Sequence, residues 1–155
     1  MQTNKVKKLV TACPNLALFE TVDSAKLASK LNKELALVNR TAGPLPVLIQ
    51  VNTSQEGTKS GVDSAEVPAL VSHIRTACPL LRFNGLMAMG AIGDIQGFET
   101  MAALRDILVG EDLSAGDFIL SMGTSGDYEA AIQHGATEVR LGTTIFGARN
   151  YAGRV

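Results

Sequence analysis

Apolar positions along this chain recur with two alternating spacings. In TNKVKKLVTAC, Val6, Leu9 and Val10 fall at helical spacing until Pro14 ends the run, and NLALFETV then has the length of a short buried strand. SAKLASKLNKELALVNR places Leu27, Leu31, Leu35 and Val38 on one side and Lys26, Lys30 and Lys33 on the other. That pattern predicts an amphipathic helix packed on a sheet, with Asp23 as its N-cap. GPL breaks it, PVLIQVN is an apolar strand of the kind covered on both faces, and TSQEGTKSG is a polar loop. Asp63 and Glu66 form a capping-box pattern ahead of AEVPALVSHIRTAC, where Pro68 falls early enough to be tolerated. The series continues with FNGLMAMG as a strand, residues 96–109 as a helix, DFILSMG as a strand, GDYEAAIQHG as a helix ending at Gly135, and TEVRLGTTIFG as the last strand and its exit.

Five strands alternating with five helices predict parallel βα units and an α/β fold. The order suits either an open, doubly wound sheet or part of an eight-stranded barrel, and periodicity does not choose between them. No Gly-x-Gly-x-x-Gly follows the first strand, which disfavours the dinucleotide-binding version of the open sheet. TACP occurs at 11–14 and 76–79, each time where a helix gives way to a strand, and a shared local solution explains this as well as duplication does.

A chain of 155 residues is long enough for one domain with a real core. Its net charge of −1, with Lys and Arg spread along the chain, gives no basic surface for nucleic acid or an anionic membrane, which leaves a small-molecule or protein partner. Cys13 and Cys78 form no CxxC and no zinc-like spacing with His73 or His134, so they read as free buried thiols of a reducing compartment. No run approaches the ~18 apolar residues of a membrane span, and the first residues lack a signal-peptide core. The expected location is the cytoplasm, with an organelle left open if the start of the chain is incomplete.

The chemistry concentrates in SMGTSGDYEAAIQHGATEVRLGTTIFG, residues 121–147. In successive βα units the turn after one strand and the end of the next strand share a face, so Ser125 and the Arg140–Thr143 segment meet in space. Alternation puts Val139 and Leu141 on one side and Arg140 on the other, towards the barrel interior or sheet crevice, where a guanidinium needs an acceptor. Around it fall the Ser125 hydroxyl, the N–H groups of Gly126, Gly142 and Thr143, and the Thr143 and Thr144 hydroxyls, a donor set suited to a phosphate. Taken singly, Ser125 reads equally as a helix N-cap, Gly142 as a tight turn, and Arg140 as the partner of a buried carboxylate. Met87 and Met89 read as core gap-fillers, His73 and His134 as surface residues late in helices, and Asn52 and Thr53 as further candidates on the ligand face.

The segment ILSMGTSGDYEAAIQHGATEVRLGTTIFGARNY resembles the C-terminal signature of the pyridoxal phosphate homeostasis proteins, single-domain barrels similar to the N-terminal domain of alanine racemase. ETVDSAKLASKLN, VLIQVNTSQEGTKSGV and GLMAMG extend the resemblance over the whole chain, and QTNKVKK is similar to the end of a family segment that follows its third strand. The resemblance implies the C-terminal portion, about five βα units, of a (β/α)8 TIM-like barrel that binds pyridoxal 5'-phosphate. It implies that Ser125, Gly142 and Thr143 hold the phosphate and that Arg140 faces the pyridine nitrogen. A cation there weakens the cofactor as an electron sink. The implied role is intracellular homeostasis of the cofactor without catalysis, with cofactor-dependent apoenzymes as protein partners. An amino-acid racemase and a non-binding fragment are the alternatives. Neither Tyr128 nor Tyr151 sits in a motif readable as a catalytic base.

The resemblance also implies that the lysine bonding the cofactor's aldehyde lies on a first strand that would precede Met1. The expectation is therefore one alanine racemase N-terminal-like domain over residues 1–155, truncated at its start, with Lys59 as the one lysine placed near the ligand face.

Overall fold

The apolar runs become the elements their periods predict, except that Thr143–Phe146, read as the exit of the last strand, forms a short helix. The computed structural model describes residues 1–38, 40–53, 60–110, 113–114 and 116–148. A 3₁₀ turn at Thr3–Lys5 leads into α1 (Val6–Ala12), followed by β1 (Phe19–Val22), α2 (Ala25–Leu37) and β2 (Leu45–Asn52). Then come β3 (Val62–Asp63), α3 (Val67–Ala77), β4 (Leu81–Ala88), α4 (Ile95–Leu108), β5 (Ile119–Thr124), α5 (Tyr128–Gln133), β6 (Glu138–Arg140) and α6 (Thr143–Phe146). The cap of α2 is Ser24 rather than Asp23: Ser24 Oγ accepts from the Leu27 amide at 3.3 Å and donates to Asp23 Oδ1 at 3.0 Å. Asp63 caps a 3₁₀ turn by accepting from the Ala65 amide, and α3 starts after it with Pro68 in its first turn. The two TACP segments form the same turn. The amides of Cys13 and Cys78 donate to the carbonyls four residues back, Leu9 and Ile74, with nearly equal backbone angles, which is the shared local solution.

The main strands lie in the order β1-β2-β4-β5-β6, all parallel, with β3 pairing only the end of β2. Spatial order follows chain order, so the sheet has no switch point of the doubly wound kind and each connection advances in the same direction, as in a barrel. The helix side holds the main core, including Val47, Ile49, Leu86, Leu120 and Met122 under Leu27, Leu31, Ile74 and Met101. The other side carries polar groups among apolar ones: Glu20, Gln50, Met87 and Arg140 line one cavity there.

That side is concave. Glu20 on β1 accepts a hydrogen bond from Ser121 on β5 at 3.1 Å, although three strand spacings separate them. A flat sheet would put those strands about 14 Å apart, beyond the reach of a glutamate and a serine, so the sheet curls. Gly85 supports this curl. The pairing of β2 with β4 skips Asn84, Gly85 takes a φ of +142°, and a Cβ there would run into the Ile119 carbonyl on β5.

Candidate functional site

β6 ends on Arg140, which pairs in register with Thr124 at the end of β5. Val139 lies on the helix side, where its Cγ1 borders the space above Gly123 together with Ala131 of α5. Arg140 therefore faces the concave side, as alternation requires. It borders a cavity of 1110 Å³ whose lining includes Gln2, Asn4, Glu20, Gln50, Met87 and Met89.

The acceptors of Arg140 are not carboxylates. Nη1 donates to Ser121 Oγ at 2.8 Å and to the Ser121 carbonyl at 3.3 Å, while Nη2 donates to the Ala88 carbonyl at 2.6 Å. Burial pulls the guanidinium pKa down, and the charges of Glu20, Asp127 and Glu138 pull it back up, so the group stays cationic. Glu138 pays for this crowding. Its carboxyl is pushed up from the ordinary value by burial first and by Glu20 second, against the pull of Arg140.

Ser125 does not cap the helix that follows it. Its Oγ accepts from the Gly142 amide at 2.9 Å and the Thr144 amide at 3.2 Å, so it sits at the start of α6, 17 residues further along the chain. Asp127 stands at the N-cap position of α5, but its side chain turns back to the preceding turn, where Oδ1 accepts from the Thr124 amide at 2.7 Å and the Thr124 hydroxyl at 2.9 Å. Its Oδ2 accepts from the Gly93 amide at 3.1 Å, tying the β4–α4 loop to the β5–α5 turn. Burial raises the Asp127 pKa, but these bonds and the Arg140 charge outweigh it and hold the group below the usual carboxylate range.

The sequence thus brings Ser125, Arg140, Gly142 and Thr143 to one end of the sheet. Ser125 is half-buried, Gly142 and Thr143 are exposed, and the Ser125 turn lines its own cleft of 410 Å³ with Gly93, Asp127 and Tyr128. Glu20, Ser121 and Asp127 belong to the same arrangement and were not singled out by sequence. The available signal was a polar residue at an inward strand position, Ser121 between Leu120 and Met122, and Glu20 next to Phe19.

Several expectations are corrected. Met87 is buried, but Met89 is 57% exposed at the cavity mouth instead of in the core. His73 and His134 are half-buried and bonded, the first to Ser29 Oγ and the second to the Ala130 carbonyl. Cys78 is buried, while Cys13 is only partly so. The Thr53 hydroxyl lies near Gly90 and Gly97. Lys59 and Tyr151 lie outside the described residues. No helix among the described residues is long and apolar enough to cross a membrane.

Comparison with known proteins agrees with this architecture. The family model for the alanine racemase N-terminal domain matches residues 4–150. The pyridoxal phosphate homeostasis protein of Bos taurus is 44% identical over 161 residues, covering 98% of this chain and 58% of that protein, and the protein of the same name from Pseudomonas aeruginosa is 39% identical over 155 residues, covering 97% and 63%. The chain therefore spans about three-fifths of the length of these relatives. Among solved structures, an unknown protein from Bifidobacterium adolescentis matches with a TM-score of 0.80 at 35% identity, covering 94% of this chain and 58% of the other. PipY of Synechococcus elongatus with pyridoxal phosphate bound matches with a TM-score of 0.66 at 26% identity, covering 95% and 67%. The alanine racemase of Clostridium difficile, 14% identical with a TM-score of 0.66 over 98% of this chain and 38% of the racemase, shares the fold. A parallel sheet in barrel order, a polar concave face and a family model spanning nearly all of the sequence lead to one assignment: the chain belongs to the alanine racemase N-terminal domain family.

Proposed function

We propose that this chain binds pyridoxal 5'-phosphate at the open end of its sheet and serves the intracellular supply of that cofactor without catalysing a reaction on it. The observation that carries the reading is the convergence of Ser125 Oγ with the amides of Gly142 and Thr144, two and four residues past an arginine that borders the concave cavity. The relatives named for pyridoxal phosphate homeostasis supply the chemical identity of the ligand.

The residues fit two ends of that ligand. At the phosphate end, Ser125 offers its hydroxyl proton and Thr143 its amide, and the Gly142 amide, which now donates to Ser125 Oγ together with that of Thr144, would join them by exchanging that acceptor for a phosphate oxygen. At the ring-nitrogen end, Arg140 offers a fixed cation. When bound, the cofactor supplies an electron-withdrawing ring, and a cation beside its nitrogen disfavours the protonation that strong electron sinks need. At the aldehyde end, no lysine is among the described residues lining the larger cavity. The proposal is for retention by phosphate and ring contacts, with transfer to cofactor-dependent apoenzymes as the wider role of the protein.

Calorimetric titration with pyridoxal phosphate, pyridoxal and inorganic phosphate tests this reading. Saturable binding of the phosphorylated aldehyde, with pyridoxal at least tenfold weaker, is expected, since the dephosphorylated form loses charge-assisted bonds of ~1.5–3 kcal/mol each. Equal affinity for pyridoxal and its phosphate would contradict it.

A further inference from the structure

We infer that Ser121 and Glu20 are positioning residues for Arg140: Ser121, oriented by Glu20, fixes Nη1 while the Ala88 carbonyl holds Nη2, which leaves Nε for a ligand in the cavity that Arg140 borders. The inference rests on the cofactor reading only for what Nε meets.

A guanidinium carries five N–H donors on three nitrogens and accepts nothing. Both terminal nitrogens of Arg140 are engaged with Ser121 and Ala88, whereas Nε has no acceptor among the described residues. Nη1 makes its shorter bond to the Ser121 hydroxyl, at 2.8 Å against 3.3 Å to the carbonyl. A serine hydroxyl has one proton, and a hydroxyl that turned that proton towards Arg140 would face a group that cannot accept it. Glu20 prevents this. Its Oε2 takes the Ser121 proton at 3.1 Å, which turns the serine lone pairs towards Nη1. Ser121 is 1% exposed, so no bulk water competes for either bond.

The link spans the site. Glu20 stands on β1, one end of the strand order, and Arg140 on β6, the other, with Ser121 on β5 between them. The curl of the sheet and the direction of the guanidinium are thereby coupled, and the loss of Glu20 would release both.

Side-chain ¹⁵N NMR of the 155-residue chain tests this directly, with the Arg140 signals assigned from Arg140→Lys. Separate, slowly exchanging Nη1 and Nη2 signals are expected, with Ser121→Ala merging them and speeding exchange ~10-fold or more, as befits a bond to a charged group. Glu20→Leu should do the same, while Glu20→Gln, which keeps an acceptor for the serine proton, should preserve the separate signals. Arg140 signals unchanged in both Ser121→Ala and Glu20→Leu would overturn the inference. A titration of each variant with pyridoxal phosphate separates it from the cofactor reading. Clamp-dependent Arg140 signals in a chain that does not bind the ligand would leave the clamp standing and remove the reading. Ligand binding with Arg140 signals indifferent to both substitutions would do the reverse.

Discussion

Ser125 and Gly142, 17 residues apart in sequence, are joined by a 2.9 Å bond from the Gly142 amide to the Ser125 hydroxyl oxygen. The bond closes the turn after β5 onto the turn after β6, so a single hydroxyl sets the relative position of the two loops. Ser125→Ala should weaken pyridoxal phosphate binding about tenfold and lower stability by about 1 kcal/mol, since two amides lose their acceptor. Isothermal titration and urea unfolding of the same variant check the two halves. A variant with unchanged affinity would remove Ser125 from the site.

Gly85 carries the curl between β4 and β5. Because its φ is +142° and a Cβ would strike the Ile119 carbonyl, Gly85→Ala should cost about 3 kcal/mol in chemical unfolding. A loss below about 1 kcal/mol, the ordinary cost of a point substitution, would show that the strands can part without penalty.

Glu138 should make the protein less stable as pH rises. Its folded-state pKa is raised, so the folded form resists ionisation, and stability falls from the ordinary glutamate value of about 4.3 up through the folded value. Glu138→Gln is therefore expected to melt higher than the unsubstituted chain at pH 7 and together with it below about pH 4. Thermal melts across that range decide it, and a variant that melts lower at pH 7 would reverse the sign.

Asp127 has the opposite dependence. Its folded-state pKa is lowered, so its contribution is complete above the ordinary aspartate value of about 3.9 and is lost as pH falls through the folded value. Asp127→Asn should be about 1 kcal/mol less stable at pH 7, the usual net worth of an intramolecular hydrogen bond, with the gap closing in acid. A gap that persists at pH 2 would place the loss in geometry rather than charge.

With L-alanine and saturating pyridoxal phosphate, circular dichroism should detect no racemisation. Turnover above the rate of free cofactor would favour the racemase reading over the carrier one.

Much of this arrangement is legible in the sequence because it rests on alternation and period. The inward direction of Arg140 follows from Val139 and Leu141 on either side, and α2 and α3 follow from leucines and valines at helical spacing. The meeting of Ser125 with Gly142 follows from βα topology. The choice between Asp23 and Ser24 as a cap was not legible, since both types suit the position and one rotamer decides. Ser121 and Glu20 escaped notice because their partnership spans 101 residues and exists only once the sheet curls. The four-residue α6 was hidden in a β-branched run, Thr143, Thr144 and Ile145, that favours a strand by propensity but follows Gly142 into a helical turn.

The most direct test of the account is amide NMR of the chain during addition of pyridoxal phosphate. Saturating shifts at Ser125, Gly142, Thr143 and Thr144, together with the Arg140 side chain, are predicted, and they should be lost in Ser125→Ala. A folded chain whose shifts fall elsewhere, or that shows none at saturating ligand, would contradict the site.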